Sequence, residues 1–154
     1  MSLYLLALIA GIVTGLRTAM ALAALSWAAW LGVLPLGGSW LGWLGHWLTP
    51  WILTAAAALE LVGDKLPSTP SRKVPPQFGT RLVVGALCGA AIGLPSGAWI
   101  GGLLAGLVGA AIGTLGGAAA RARLAALFGR DMPAALIEDA VAIVAALLLL
   151  GILR

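Results

Sequence analysis

Residues 3–30 read LYLLALIAGIVTGLRTAMALAALSWAAW, an apolar run broken by a single formal charge, Arg17. At ~1.5 Å per residue, a helix of this length exceeds the ~30 Å hydrocarbon core of a bilayer. The stretch is expected as one helical segment running from near Leu3 past Arg17 towards Trp30. Its end should then tilt, break or lie in the interface. Leu34-Pro35 and Gly37-Gly38 terminate it.

The whole chain has the same character. Of 154 residues, 62% are hydrophobic and 9% are charged, against roughly 25% charged in a soluble domain. Too few charges exist to make a solvated shell, so lipid is expected to be the solvent for much of the surface. Lipid offers backbone groups no hydrogen-bond partner, which selects helices. The short alternating segments of a membrane β-barrel are missing. The expected fold class is an all-α polytopic transmembrane bundle in one domain, residues 1–154. About five spans can be drawn: 3–30, 45–66, 80–94, 98–120 (continuing to Phe128) and 133–153. The third is ~15 residues, marginal for a crossing. Thr49-Pro50 can begin the second.

The N-terminus has no Lys or Arg before its apolar stretch, and Arg17 interrupts that stretch, so a retained helix is expected rather than a cleaved signal. Lys65, Arg72, Lys73 and Arg81 flank one loop; Arg121, Arg123 and Arg130 flank another. The positive-inside rule places both in the cytoplasm, which with five spans puts the N-terminus inside. All seven tryptophans, Trp27, Trp30, Trp40, Trp43, Trp47, Trp51 and Trp99, then fall near outer ends, where indoles favour the interface. The net charge of +4 follows from this topology and does not imply nucleic acid, because no exposed aromatics interleave with the basic residues.

Glycines recur every four residues at 85, 89 and 93, at 102 and 106, and at 109, 113 and 117. This GxxxG-like spacing permits close helix packing, within one chain or between copies. An internal repeat is suggested by GLRTAMALAAL (15–25) and GAAARARLAAL (117–127), each followed by an acid-bearing helix; repeats of this kind occur in transporters.

The chemistry concentrates in few residues. Glu60 and Asp64, four apart, share a helix face. Glu138 and Asp139 sit ~8 Å inside the last segment on the same side. Arg17 lies deeper, while Arg81, Arg121 and Arg123 fall at the rim. A charge at mid-membrane costs at least ~2.5–3.5 kcal/mol on insertion scales. A polar core of Arg17, Glu60, Asp64, Glu138 and Asp139 is therefore expected, with Arg121 as a further counter-charge. It either binds or relays an ion, proton or polar solute, or only fixes helix register. Ser68, Thr69, Ser71 and Arg72 form a candidate anion-binding turn, although polar turn chemistry also explains them. Cys88 reads as packing and His46 as interfacial, without partner ligands for a metal. No Walker loop, HExxH helix, Gly-x-Ser-x-Gly elbow or CxxC is present. No metal, cofactor or soluble-type catalytic site is expected.

Three segments, GLRTAMALAALSWA, ELVGDKLPSTPSR and IEDAVAI in that order, resemble a bacterial family of small integral membrane proteins, domain of unknown function 4126. The most specific match is Glu60, Asp64, Lys65 and Pro67 followed by Thr69 to Arg72. The resemblance implies membrane location and marks these positions without assigning an activity. The function expected is transporter-like or channel-like binding of a small solute or ion in the bacterial inner membrane, by a chain that forms homo-oligomers. The alternative is a non-transporting structural or assembly protein whose charges lock helices; an enzyme acting on lipid headgroups at the Ser68–Arg72 turn is a third.

Overall fold

The computed structural model describes residues 2–64 and 73–153. Among them the fold is all-helical: α1 (Leu3–Leu16), α2 (Thr18–Trp30), α3 (Thr49–Gly63), α4 (Pro75–Gly93), α5 (Trp99–Phe128) and α6 (Asp131–Leu153). Among the described residues, three helical stretches are long and apolar enough to cross a membrane: Pro75–Ser96, Trp99–Phe128 and Asp131–Leu153. The first three helices are apolar but shorter, at 14, 13 and 15 residues.

Local chemistry sets most of the boundaries. Ser2 caps α1 by accepting from the Leu5 amide at 3.3 Å. Pro50 lies in the first turn of α3, and prolines open α4 where their missing N–H is harmless. Gly97 (φ +73°) and Gly129 (φ +65°) supply the left-handed residues before and after α5. The helix expected from Thr80 begins instead at Pro75, so the segment that looked marginal runs 19 residues and continues as a short 3-10 turn, Leu94–Ser96. Residue 45 instead ends a 3-10 turn, Gly42–Gly45, and residues 46–48 precede α3 rather than belonging to it.

The largest departure lies in the opening stretch. Residues 3–30 are two helices, not one, divided at Arg17, whose backbone is extended (φ −141°, ψ 114°). α2 then folds back. Tyr4 of α1 touches Gly101 near the start of α5; Leu25 and Ala28 of α2 share a buried cluster with Ala91 and Ile92 at the end of α4 and Leu149 of α6, and Trp40, in the connection after α2, packs edge-on to Trp99 at 6.2 Å. The beginning of α1 and the end of α2 therefore share one end of the bundle, and Arg17 marks the turn between them. α3 runs antiparallel to α2: the Trp27 indole donates to Thr54 at 3.0 Å, while Glu60 meets residues 18 and 19. The connection between α2 and α3 is anchored by buried Leu34, Leu36, Leu41 and Leu44, and Ser26 donates to the Leu44 carbonyl at 2.6 Å. The two segments read as a repeat fold differently: 15–25 straddles the break, whereas 117–127 lies inside continuous α5.

Packing of α1, α4 and α5 relies on missing side chains. A Cβ at Gly89 would overlap the Gly102 carbonyl of α5, and one at Gly11 the Gly106 carbonyl. At Gly15 it would lie 2.5 Å from the Ala110 oxygen and the Thr114 nitrogen. These matches put α1 parallel to α5 and α4 antiparallel to both. Gly89→Leu is therefore expected to force α4 and α5 apart and to lower stability by ~3 kcal/mol or more. Gly116→Leu, on a face with nothing within 4 Å, should leave the melting temperature in detergent unchanged or higher, since Gly is a poor helix residue. Equal melting temperatures for the two variants would refute backbone-on-backbone packing.

Candidate functional site

A helix break inside a bundle exposes backbone groups that need partners: carbonyls at the end of α1 and amides at the start of α2. Charged side chains fill both needs. Glu60, near the end of α3, accepts from the Thr18 amide at 2.7 Å through Oε1 and from the Ala19 amide at 2.9 Å through Oε2. An anion here also suits the positive end of the α2 dipole. Arg81 of α4 donates through Nη1 to the Gly15 and Leu16 carbonyls at 2.9 and 3.1 Å. The two caps are themselves paired, Arg81 Nη2 lying 3.5 Å from Glu60 Oε1 and 3.9 Å from Asp64 Oδ2.

Arg17 sits at the break with its side chain fully buried. Its Nε donates to Asp139 Oδ1 at 2.8 Å, and its Nη2 reaches the same oxygen. Nη1 binds Asp64 Oδ2, and Nη2 lies 3.9 Å from Glu138 Oε2. From Glu138 the chain of charges continues to Arg121 of α5 at 3.5 Å. Arg121 then grips Asp131 with two bonds of 2.9 and 2.6 Å. Acids and arginines thus alternate: Glu60, Arg81, Asp64, Arg17, Asp139 with Glu138, Arg121, Asp131. All five acids of the sequence take part. The network grades outward, from Arg17 with no exposure through Asp64 at 19% to Asp131 at 63%.

Arg17, Glu60, Asp64, Glu138 and Asp139, singled out from the sequence, are brought together by the fold. Arg81, which the sequence places at the rim, is buried. The error follows from the helix start: counted from Thr80 it is an end residue, but counted from Pro75 it lies nearly two turns inside. The backbone amides of Thr18 and Ala19 carried no sequence signal of their own. Arg123 is exposed and outside the network. Ser68, Thr69, Ser71 and Arg72 lie outside the described residues. Cys88 is buried, with the Thr14 hydroxyl donating to its sulfur at 3.7 Å. His46 is exposed and accepts from the Leu48 amide at 3.4 Å through Nδ1.

The arrangement can hold a proton, exchange one ion pair for another, or release a helix end when a carboxylate is neutralised. Compared with known proteins, the chain matches no family model, no curated protein and no solved structure.

Proposed function

We propose that this chain is a multi-pass inner-membrane protein that binds or relays a small ion, proton or polar solute at the Arg17 junction, in the manner of a small transporter or channel. One observation carries the reading: the discontinuity between α1 and α2 is held on both sides by ionisable side chains, Glu60 on the amides and Arg81 on the carbonyls. Discontinuous helices with charged or polar ligands at their ends are a recurrent design of solute and ion sites in membranes. A break capped by hydroxyls would be insensitive to protonation. Here, a proton or cation arriving at Glu60 or Asp64 weakens the cap on α2, loosens Arg81 and so loosens the end of α1. Occupancy and the conformation of the α1–α2 hairpin are thereby coupled.

In this reading α4, α5 and α6 cross the bilayer, while α1 and α2, each ~20 Å long, enter from the tryptophan end and turn back at Arg17. Irregular backbone at that depth is tolerated because protein surrounds it. With the basic end in the cytoplasm, the N-terminus lies on the opposite side, the reverse of the orientation expected from five spans. Three long helices enclose little space alone, so a homo-oligomer belongs to the proposal. So does membership of the domain of unknown function 4126 family.

The test is proton flux into proteoliposomes, read by an entrapped pH dye under an imposed potential. Wild-type protein should show flux, and Glu60→Gln should abolish it while remaining folded, because the amide oxygen still accepts from Thr18. A second reading, a scaffold without transport, is favoured by the complete burial of Arg17 among carboxylates. Glu60→Gln indistinguishable from wild type in flux would decide for the scaffold.

A further inference from the structure

α5 is longer than a bilayer requires. Its 30 residues span ~45 Å, about 15 Å beyond the hydrocarbon core, so roughly the last ten residues on its charged side reach the headgroup layer. The side chains exposed there are of two kinds. Leu127 (80%), Phe128 (49%) and Met132 (53%) are large and apolar, while Arg123 and Arg130 are exposed and basic. Arg123 and Leu127, four apart, share one face of α5, the face that carries exposed Ile112 and Gly116 further along the helix. The nearby acid, Asp131, is held by Arg121, which also ties the tip of α5 to the start of α6.

From this juxtaposition we infer that the α5–α6 tip is a binding surface for anionic phospholipid. In water, three large apolar side chains at a helix tip would be an aggregation liability. At the boundary between acyl chains and headgroups they are buried, and the two guanidiniums beside them meet lipid phosphates. Arginine suits this role because its planar fork matches phosphate oxygens two at a time. A soluble acidic partner would satisfy the arginines but leave Leu127 and Phe128 facing the bilayer edge, so lipid is the occupant that satisfies both kinds of side chain. The proposal is independent of the Arg17 junction, since neither Arg123 nor Arg130 belongs to that network.

Native mass spectrometry of the full chain, released from nanodiscs of mixed phosphatidylglycerol and phosphatidylcholine, tests it. Wild-type protein should retain phosphatidylglycerol in excess. Arg123→Gln with Arg130→Gln should lower that excess about fivefold for each arginine removed, the equivalent of ~1 kcal/mol per basic side chain at an anionic surface. Arg123→Lys with Arg130→Lys should keep most of it. Circular dichroism and melting temperature should be unchanged, since both positions are exposed. Added glycerol phosphate at millimolar concentration should not displace the lipid, because the acyl contacts with Leu127 and Phe128 are then missing. Equal retention of the two lipids by wild type, an undiminished excess in the glutamine variant, or full displacement by glycerol phosphate would each overturn the inference.

Discussion

Arg17→Gln is expected to destabilise the protein in detergent by about 3–5 kcal/mol, the range for removing one partner from a buried ion pair. The guanidinium is the shared counter-charge of Asp64 and Asp139 and lies near Glu138. Without it, these carboxylates lose their central cation, and like charges a few ångströms apart in a low dielectric repel. Arg17→Gln combined with Asp139→Asn should recover part of the loss, because the double variant removes a cation and an anion together. Thermal unfolding in detergent at pH 8 checks both statements. A variant as stable as wild type at pH 8 would show that Arg17 is not what holds these carboxylates together.

The second large effect is expected at Arg81. Arg81→Met removes the donor to the Gly15 and Leu16 carbonyls and the partner of Glu60 and Asp64. Stranding a buried acceptor costs ~1–3 kcal/mol, and a buried charge more, so a loss of about 3 kcal/mol or more is expected. The informative quantity is its coupling to Glu60. If the two residues cap one break from its two sides, Glu60→Gln and Arg81→Met are not additive, and a double-mutant cycle should yield an interaction energy of about 1–3 kcal/mol. Hydrogen exchange supplies an independent readout. The Thr18 and Ala19 amides, protected by Glu60 in wild type, should exchange faster in Arg81→Met, although Arg81 touches neither. Additive stabilities together with unchanged exchange would dissolve the idea of one paired cap.

Much of this was readable from the residues, and what was not has physical causes. Glu60, Asp64, Glu138 and Asp139 stood out because an acid in an apolar helix must meet a counter-charge, and Arg17 stood out for the same reason. Arg81 did not, because its depth depends on where α4 begins, and two prolines at the start of a helix read equally well as a loop. The break at Arg17 was hidden by composition. Nothing in Gly15-Leu16-Arg17-Thr18 forbids a continuous helix, and alanine and leucine on both sides favour one. The glycine spacing indicated close packing but not which helix would fill each notch. Gly11 and Gly15 of α1, themselves four residues apart, pack against α5 as directly as those of α4 do, so the signal for α1 as a third partner lay in the opening apolar run.

By itself, then, the order of residues determined the solvent and the helical character of the segments, not where each helix begins or breaks. Sparse charge demands lipid, lipid demands helices, and each ionisable group within them demands a partner; these are constraints on single segments. Tertiary structure alone decided the identities of the partners and the course of the backbone at Arg17. An extended residue in a buried turn is affordable only when Glu60 and Arg81, remote in sequence, arrive to take up the amides and carbonyls it leaves open. No local propensity encodes that arrival.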